Sequence, residues 1–203
     1  MRKSIGLSLA LVLLLSIFST TAFAAVSGDE GLTFEAPFLI TNAGQGPGGK
    51  MARLLTTQTK TLTLDKDFFY LSEPQEADLE KGYSALVVVI GSTDKGLGAS
   101  GITIEDELER LDRMVKHANS IELPIIAVLI EKDKRSDIPT NANERCIDTI
   151  CPAADWMIVV AQGNEDARFD KLKEEYSIPL TILDNSMDFT ALMKTTFTPG
   201  AAE

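Results

Sequence analysis

A glycine-rich segment that ends in a lysine is the first candidate for chemistry in this sequence. Residues 44–50 read Gly-Gln-Gly-Pro-Gly-Gly-Lys, the Gly-x4-Gly-Lys spacing of a phosphate-binding loop. The next residue is Met51, where such loops place the Ser or Thr hydroxyl that binds magnesium. We therefore exclude a nucleoside triphosphatase. Backbone N–H groups at a helix start still attract anions, with Lys50 as counter-charge, so we expect either an anion or polar-ligand site or a plain tight turn.

A second glycine-rich segment, residues 91–101, reads Gly-Ser-Thr-Asp-Lys-Gly-Leu-Gly-Ala-Ser-Gly. We predict that it is a loop between a buried strand and a strong helix. Its glycines permit close backbone approach to a ligand, and its hydroxyls and Lys95 supply polar contacts. The residues predicted to bind a small polar or anionic ligand are Asn42, Gly44, Gln45, Lys50, Ser92, Lys95, Gly96, Gly98 and Asn164.

Two other functions remain open. One is a hydrolase or transferase that uses Asp94, Lys95 or Asp137. The other is a protein-interaction domain without a small-molecule site. A serine hydrolase is disfavoured, because Ser92 does not lie in a Gly-x-Ser-x-Gly turn and the single histidine, His117, falls in the middle of a predicted helix.

A charged segment, Glu131–Asp137, follows another predicted strand. It is either a solvated loop or a site in which Arg135 binds a carboxylate or phosphate with two hydrogen bonds, with Asp137 holding the arginine in place. Further acidic residues crowd the start of a predicted helix, where they favour the positive end of its dipole. They are Glu105, Asp106, Glu107 and Glu109.

The two cysteines, Cys146 and Cys151, could form a disulfide only if the helix breaks near Pro152. Positions five apart in a continuous helix are separated by about 7.5 Å along the axis, beyond the usual Cα separation of a bridge. The disulfide is therefore left open. Two thiols without Cys-x-x-Cys spacing make a poor zinc site, and we expect neither a metal nor a cofactor.

The elements that must position these residues alternate between strands and helices. Unbroken apolar runs, such as Ala85–Ile90 and Pro124–Ile130, indicate strands that are buried on both faces. We therefore expect an α/β fold with three layers: a mostly parallel sheet of about five strands and helices on both faces, doubly wound as in flavodoxin or Rossmann folds. The predicted strands also include Thr61–Leu64. We expect Thr103 and Asp106 to cap the helix that begins at Ile104. Ligands of such sheets bind at the carboxyl ends of the strands.

The N-terminal residues predict the location of the protein. Two positive residues precede an apolar run, and Ala22-Phe23-Ala24 provides small residues for a signal peptidase. We expect residues 1–24 to be a signal peptide, 25–35 a flexible leader, 36–196 one α/β domain and 197–203 a frayed tail. The mature protein would then be extracytoplasmic, with no membrane insertion. The chain carries a net charge of −11, which disfavours nucleic acid as a partner.

The chain resembles a bacterial family of exported single-domain α/β proteins known only as a domain of unknown function. The resemblance covers residues 36–195 and is carried by Asn42–Gln45, Gly91–Ile102 and Ala154–Val160, with Gly163-Asn164 beyond. It implies an exported α/β domain and no particular activity. It also implies a His-Gly-Gly and paired-Arg stretch after the third strong strand, where this chain has Leu129–Arg135. A family site at that place would be lost or changed here.

Overall fold

The computed structural model describes residues 26–200, and for Asp133 the backbone alone. The predicted signal peptide and the last three residues lie outside the described residues. Within the described part, no helix is long and apolar enough to cross a membrane.

Seven strands form one sheet, which is two more than we expected. The first strand, β1 (Val26–Gly28), pairs antiparallel with β8 (Leu180–Leu183), and all other neighbours in this sheet are parallel. In spatial order the strands are β1 (Val26–Gly28), β8 (Leu180–Leu183), β7 (Trp156–Val160), β6 (Ile125–Leu129), β5 (Leu86–Ile90), β3 (Phe38–Ala43) and β4 (Phe68–Tyr70). Two short strands, β2 (Phe34–Glu35) and β9 (Phe197–Thr198), pair separately.

The prediction of five strands was wrong at the edges of the sheet. Both edge strands, β1 and β4, have only three residues, too few for a periodic pattern to stand out. The predicted strand at Thr61–Leu64 is irregular, with bends at its first two residues and one isolated bridge from Leu64 to Phe68, where the edge strand begins. The N-terminal segment that we expected to be a flexible leader contains β1 and β2.

Seven helices accompany the sheet in the described residues: α1 (Gly48–Thr57), α2 (Glu76–Leu79), α3 (Asp94–Ser100), α4 (Ile104–Ser120), α5 (Ala142–Ile150), α6 (Arg168–Tyr176) and α7 (Asp188–Thr196). Strand side chains alternate between two hydrophobic clusters, as the period of two requires. Val87 and Val89 share one cluster with residues of α1 and α7. Leu86 and Val88 share the other with residues of α2, α4, α5 and α6.

The segment 91–101, which we expected to be a loop, is mostly helix α3. The Thr93 hydroxyl accepts a hydrogen bond from the Gly96 N–H at its start, and Gly101, with φ +70°, ends it in the left-handed conformation. These two caps stabilise a helix whose internal glycines disfavour it. The predicted capping box of α4 is confirmed, because Thr103 and Asp106 bond reciprocally.

The strand order identifies where a ligand would enter. The chain passes from β3 to β4 at one edge, returns to β5 on the other side of β3, and then continues through β6 and β7 to β8. The direction of progress therefore reverses between β3 and β5. In α/β sheets a crevice forms at the carboxyl ends of the strands beside such a reversal. The segments that follow β3 and β5 border this crevice.

We predict that the contact between Gly31 and Trp156 is required for full stability. A Cβ at position 31 would lie 1.9 Å from the indole ring, so Gly31→Ala must displace either the N-terminal segment or the ring. We expect a loss of about 1–3 kcal/mol in the free energy of unfolding. Thermal unfolding and the emission of Trp156, the single tryptophan, measure this change. Gly98→Ala, where a Cβ meets open space, is the control and should cost nothing. Equal stability of the two variants would contradict the prediction.

Candidate functional site

The two glycine-rich segments meet at the carboxyl edge of the sheet. Gln45 and Ser92 form an isolated antiparallel bridge. Gly44 has φ +99°, and a Cβ there would lie 2.3 Å from the Cβ of Ser92. A Cβ on Gly96 would lie 2.6 Å from the Gln45 carbonyl oxygen. Glycine at positions 44 and 96 therefore lets the segment after β3 pack directly against the segment after β5.

A buried ion pair on α4 holds this junction. The Glu107 carboxylate is fully buried, and it accepts hydrogen bonds from the Gly44 N–H at 2.7 Å and from the Arg110 Nε at 2.9 Å. Arg110 also donates from Nη2 to the Asn42 carbonyl oxygen at 2.9 Å and to Glu107 at 2.6 Å. The Gln45 side-chain amide donates to the second Glu107 oxygen at 3.4 Å. Helix α4 is thereby joined to the end of β3.

The electrostatics of Glu107 follow from these contacts. Burial raises the pKa of its carboxyl, but hydrogen bonds and charge from Arg110, together with the Gly44 N–H, outweigh burial and hold the pKa below its ordinary value of 4.5. Glu107 is therefore ionised at neutral pH. The pair brings a fixed negative and a fixed positive group to the strand ends.

The cleft between α2 and α4, which we call the α2–α4 cleft, has this ion pair at its floor. Its volume is about 520 Å³, within the range of small-molecule sites. Buried Leu79 and Met114 lie at the floor beside Glu107 and Arg110. Exposed polar residues form the rim: Glu73, Gln75, Glu76, Asp106 and Arg113. The cleft therefore combines an apolar base with converging charged groups.

The carboxylate of Glu131 lies at the start of α1. A Cβ on Gly48 or Gly91 would lie 2.7 Å or 2.5 Å from Oε2 of Glu131. The absence of side chains at these glycines leaves room for Glu131 at the positive end of the α1 dipole, a favourable place for an acid. The anion site that we expected at residues 44–50 stays a prediction, and an anion there would share the helix start with Glu131.

A second buried acid connects the segments that follow β6 and β7. Glu144 is fully buried and accepts hydrogen bonds from the Arg135 Nε at 2.9 Å and the Arg168 Nη1 at 2.8 Å. Arg135 also pairs with Asp166 at 2.7 Å, and Arg168 pairs with Asp148. Burial lowers the pKa of the Arg135 guanidinium, but Asp166 and Glu144 outweigh burial and raise it above its usual value. Arg135 thus binds carboxylates, as its residue type suggested, but these are the protein's own.

The predicted site residues lie in four different settings. Asn42, Gly44 and Ser92 are buried, and their backbones are engaged by Arg110, Glu107 and Asn143 respectively. By contrast, Lys50, Lys95 and Gly98 are exposed on α1 and α3. Gln45 and Gly96 pack on each other at the junction. Asn164 lies apart, because its side chain accepts from the Phe169 N–H and donates to Asp170 at the start of α6.

Asp94 and Lys95 are not among the described residues that line a cleft with Asp137. Asp94 and Lys95 are exposed on α3. Asp137 lines a small cleft of about 230 Å³ with Gln162 and Asp166. Arg135, which Asp137 was expected to hold, bonds to Glu144 and Asp166 instead.

Both cysteine thiols are free and buried. Cys146 lies on α5, and Cys151 begins a short 3₁₀ turn directly after it. Burial raises the pKa of each thiol to about 12, so both are protonated at neutral pH. In the described part of the chain, no group of three or more His, Cys, Asp or Glu residues is arranged to hold a metal ion.

Glu107 and Arg110 are not among the residues that the sequence predicts to bind a ligand. The signal was nevertheless present, because Glu107 lies four residues before buried Leu111 and seven before buried Met114. Those spacings place it on the buried stripe of α4 rather than on its solvent face. We grouped it instead with its exposed acidic neighbours at the helix start.

One family model matches most of the chain. The family is described as Domain of unknown function (DUF6305), and the match covers residues 35–197. The expectation that the chain resembles a domain of unknown function is thereby confirmed. No curated protein matches the chain.

We predict that Glu107 stabilises the fold only while it is ionised. Because its folded-state pKa is depressed, its contribution is complete above about pH 4.5, the unfolded value, and is lost as the pH falls through the folded value. Glu107→Gln should cost about 3 kcal/mol at neutral pH, and this difference should shrink in acid. Denaturant unfolding at several pH values measures it. Glu109→Gln, which removes an exposed pair with Arg113, should cost less than about 1 kcal/mol. A pH-independent difference for Glu107→Gln would contradict the account.

Proposed function

We propose that this chain, which belongs to the DUF6305 family of domains of unknown function, binds a small polar ligand in the α2–α4 cleft. The observation that carries the proposal is the buried Glu107–Arg110 pair at the floor of this cleft. A charge pair that is fixed in a cleft and partly desolvated is typical of binding sites. With the predicted signal peptide, the protein would work as an extracytoplasmic binding domain.

The position of the cleft in the sheet supports this proposal. Arg110 donates to the backbone of Asn42 in β3, and Glu107 accepts from the Gly44 N–H directly after β3. The cleft therefore borders the carboxyl end of β3, beside the reversal of strand order where ligands of such sheets bind. The glycine-rich segments that we expected to contact the ligand lie beside the cleft. They pack against each other, and the backbone at the end of β3 forms hydrogen bonds with the ion pair.

The burial gradient in the cleft also supports binding. Leu79 and Glu107 are almost completely buried, whereas Glu73 and Glu76 at the rim are exposed. A ligand that enters would exchange water for apolar contact at the floor and keep polar contacts at the rim. This combination gives affinity through burial and orientation through a few polar groups.

The geometry favours this binding function over the hydrolase alternative. That alternative needs Asp94, Lys95 or Asp137 in a shared cleft, and neither Asp94 nor Lys95 is among the residues that line the cleft of Asp137. The large apolar side chains that are exposed, among them Leu54, Ile138 and Tyr176, belong to different elements. We therefore propose small-molecule binding rather than catalysis or a protein interface.

Thermal unfolding against a panel of sugars, amino acids, amines, carboxylates and inorganic anions tests the proposal. A ligand at about a hundred times its Kd adds about 2.7 kcal/mol to stability. Ala77→Phe, which places a large side chain at the exposed rim of the cleft, should abolish the response to any ligand that wild type binds. Ala99→Phe, exposed on α3 outside the cleft, is the matched control and should retain it. A ligand response that survives Ala77→Phe would place binding elsewhere and refute the proposal.

A further inference from the structure

We propose that the ligand of the α2–α4 cleft is a small molecule that carries an amine at one end and a carboxylate at the other. The amine would lie among the acidic groups of the rim, and the carboxylate would bind Arg110. This inference rests on the proposed function and narrows it to one chemical class.

The rim supplies the contacts for the amine. Glu73 and Glu76 are exposed, line the cleft and make no ion pair within the described part of the chain. Asp106 also lines the cleft, in the first turn of α4, where it accepts hydrogen bonds from the N–H and hydroxyl of the N-cap residue Thr103. Carboxylates that converge on one opening attract a primary ammonium group, which offers three donors.

The floor supplies the contact for the carboxylate. Glu107 and the Asn42 carbonyl fix two of the guanidinium nitrogens of Arg110, so its orientation is set before a ligand arrives. The third nitrogen, Nη1, has no hydrogen-bond partner in the described structure, although it is shielded from solvent. The side chain of Arg110 is 13 % exposed and lines the cleft. A ligand carboxylate that displaces the groups covering Nη1 would provide the acceptor that this nitrogen lacks.

The charges that line the cleft favour a ligand with both an amine and a carboxylate over a simple anion or a simple amine. The cleft is lined by the carboxylates of Glu73, Glu76, Asp106 and Glu107 and by the guanidinium groups of Arg110 and Arg113. This excess of negative charge disfavours a ligand that is only an anion. A ligand that is only an amine satisfies the rim and leaves Nη1 without a partner. A ligand with an amine and a carboxylate satisfies both the acidic rim and Nη1 of Arg110.

Isothermal titration calorimetry of residues 25–203 with three matched probe series tests the inference. The series are straight-chain amino acids with a terminal amine, from glycine to ε-aminocaproate, and the alkylamines and alkyl carboxylates of the same lengths. We expect one amino acid to bind at least about tenfold more tightly than the amine or carboxylate of its length, which is the size of one charge-assisted hydrogen bond. Glu76→Gln should weaken that amino acid about threefold. Glu174→Gln, exposed on α6, should leave its binding unchanged.

Three results would overturn the inference: a carboxylate that binds as tightly as the amino acid, an amine that does so, or no binding by any series. None of these results decides the proposed function, because the wider ligand panel and the Ala77→Phe variant test that separately. Conversely, amino-acid binding that survives Ala77→Phe would refute both, since the ligand would then occupy another place.

Discussion

The contact on which the candidate site depends is the buried pair of Glu107 and Arg110. Placing two charges away from water is costly, and only close hydrogen bonds from both partners offset that cost. Here the bonds reach beyond the pair to the Gly44 N–H and the Asn42 carbonyl. The same interaction therefore satisfies the backbone at the end of β3, joins α4 to the sheet and presents charge at a cleft.

Glycine makes this arrangement possible. The segment after β3 must approach Ser92 closely enough that a Cβ on Gly44 would collide with it. Because the two segments approach closely, the main-chain N–H of Gly44 reaches Glu107. The segments also pair with each other at the carboxyl edge of the sheet, through the bridge between Gln45 and Ser92. The spacing that resembles a phosphate-binding loop thus supports packing between segments, and Glu131 faces the helix start where a phosphate would be expected. The open cleft lies beside this junction, between α2 and α4.

The α/β fold was predictable because apolar runs such as Leu86–Ile90 reflect burial on both faces of a parallel sheet. Edge strands were not predictable to the same degree, since Val26–Gly28 is held by pairing with β8 rather than by an apolar pattern. Helix α3 was missed because its glycines disfavour helix while its caps favour it. The partners of Arg135 could not be identified from the sequence, because Glu144 and Asp166 reach it only through tertiary contacts.

The most direct test of this account is a double-mutant cycle on Glu107 and Arg110, with Glu107→Gln, Arg110→Met and the double variant measured by denaturant unfolding. The account predicts a coupling energy of at least about 1.5 kcal/mol, so that the second substitution costs much less once the first is present. Additive losses within about 0.5 kcal/mol would contradict it. In that case the two side chains would stabilise the strand ends independently, and the pair would not be the contact that holds the cleft in place.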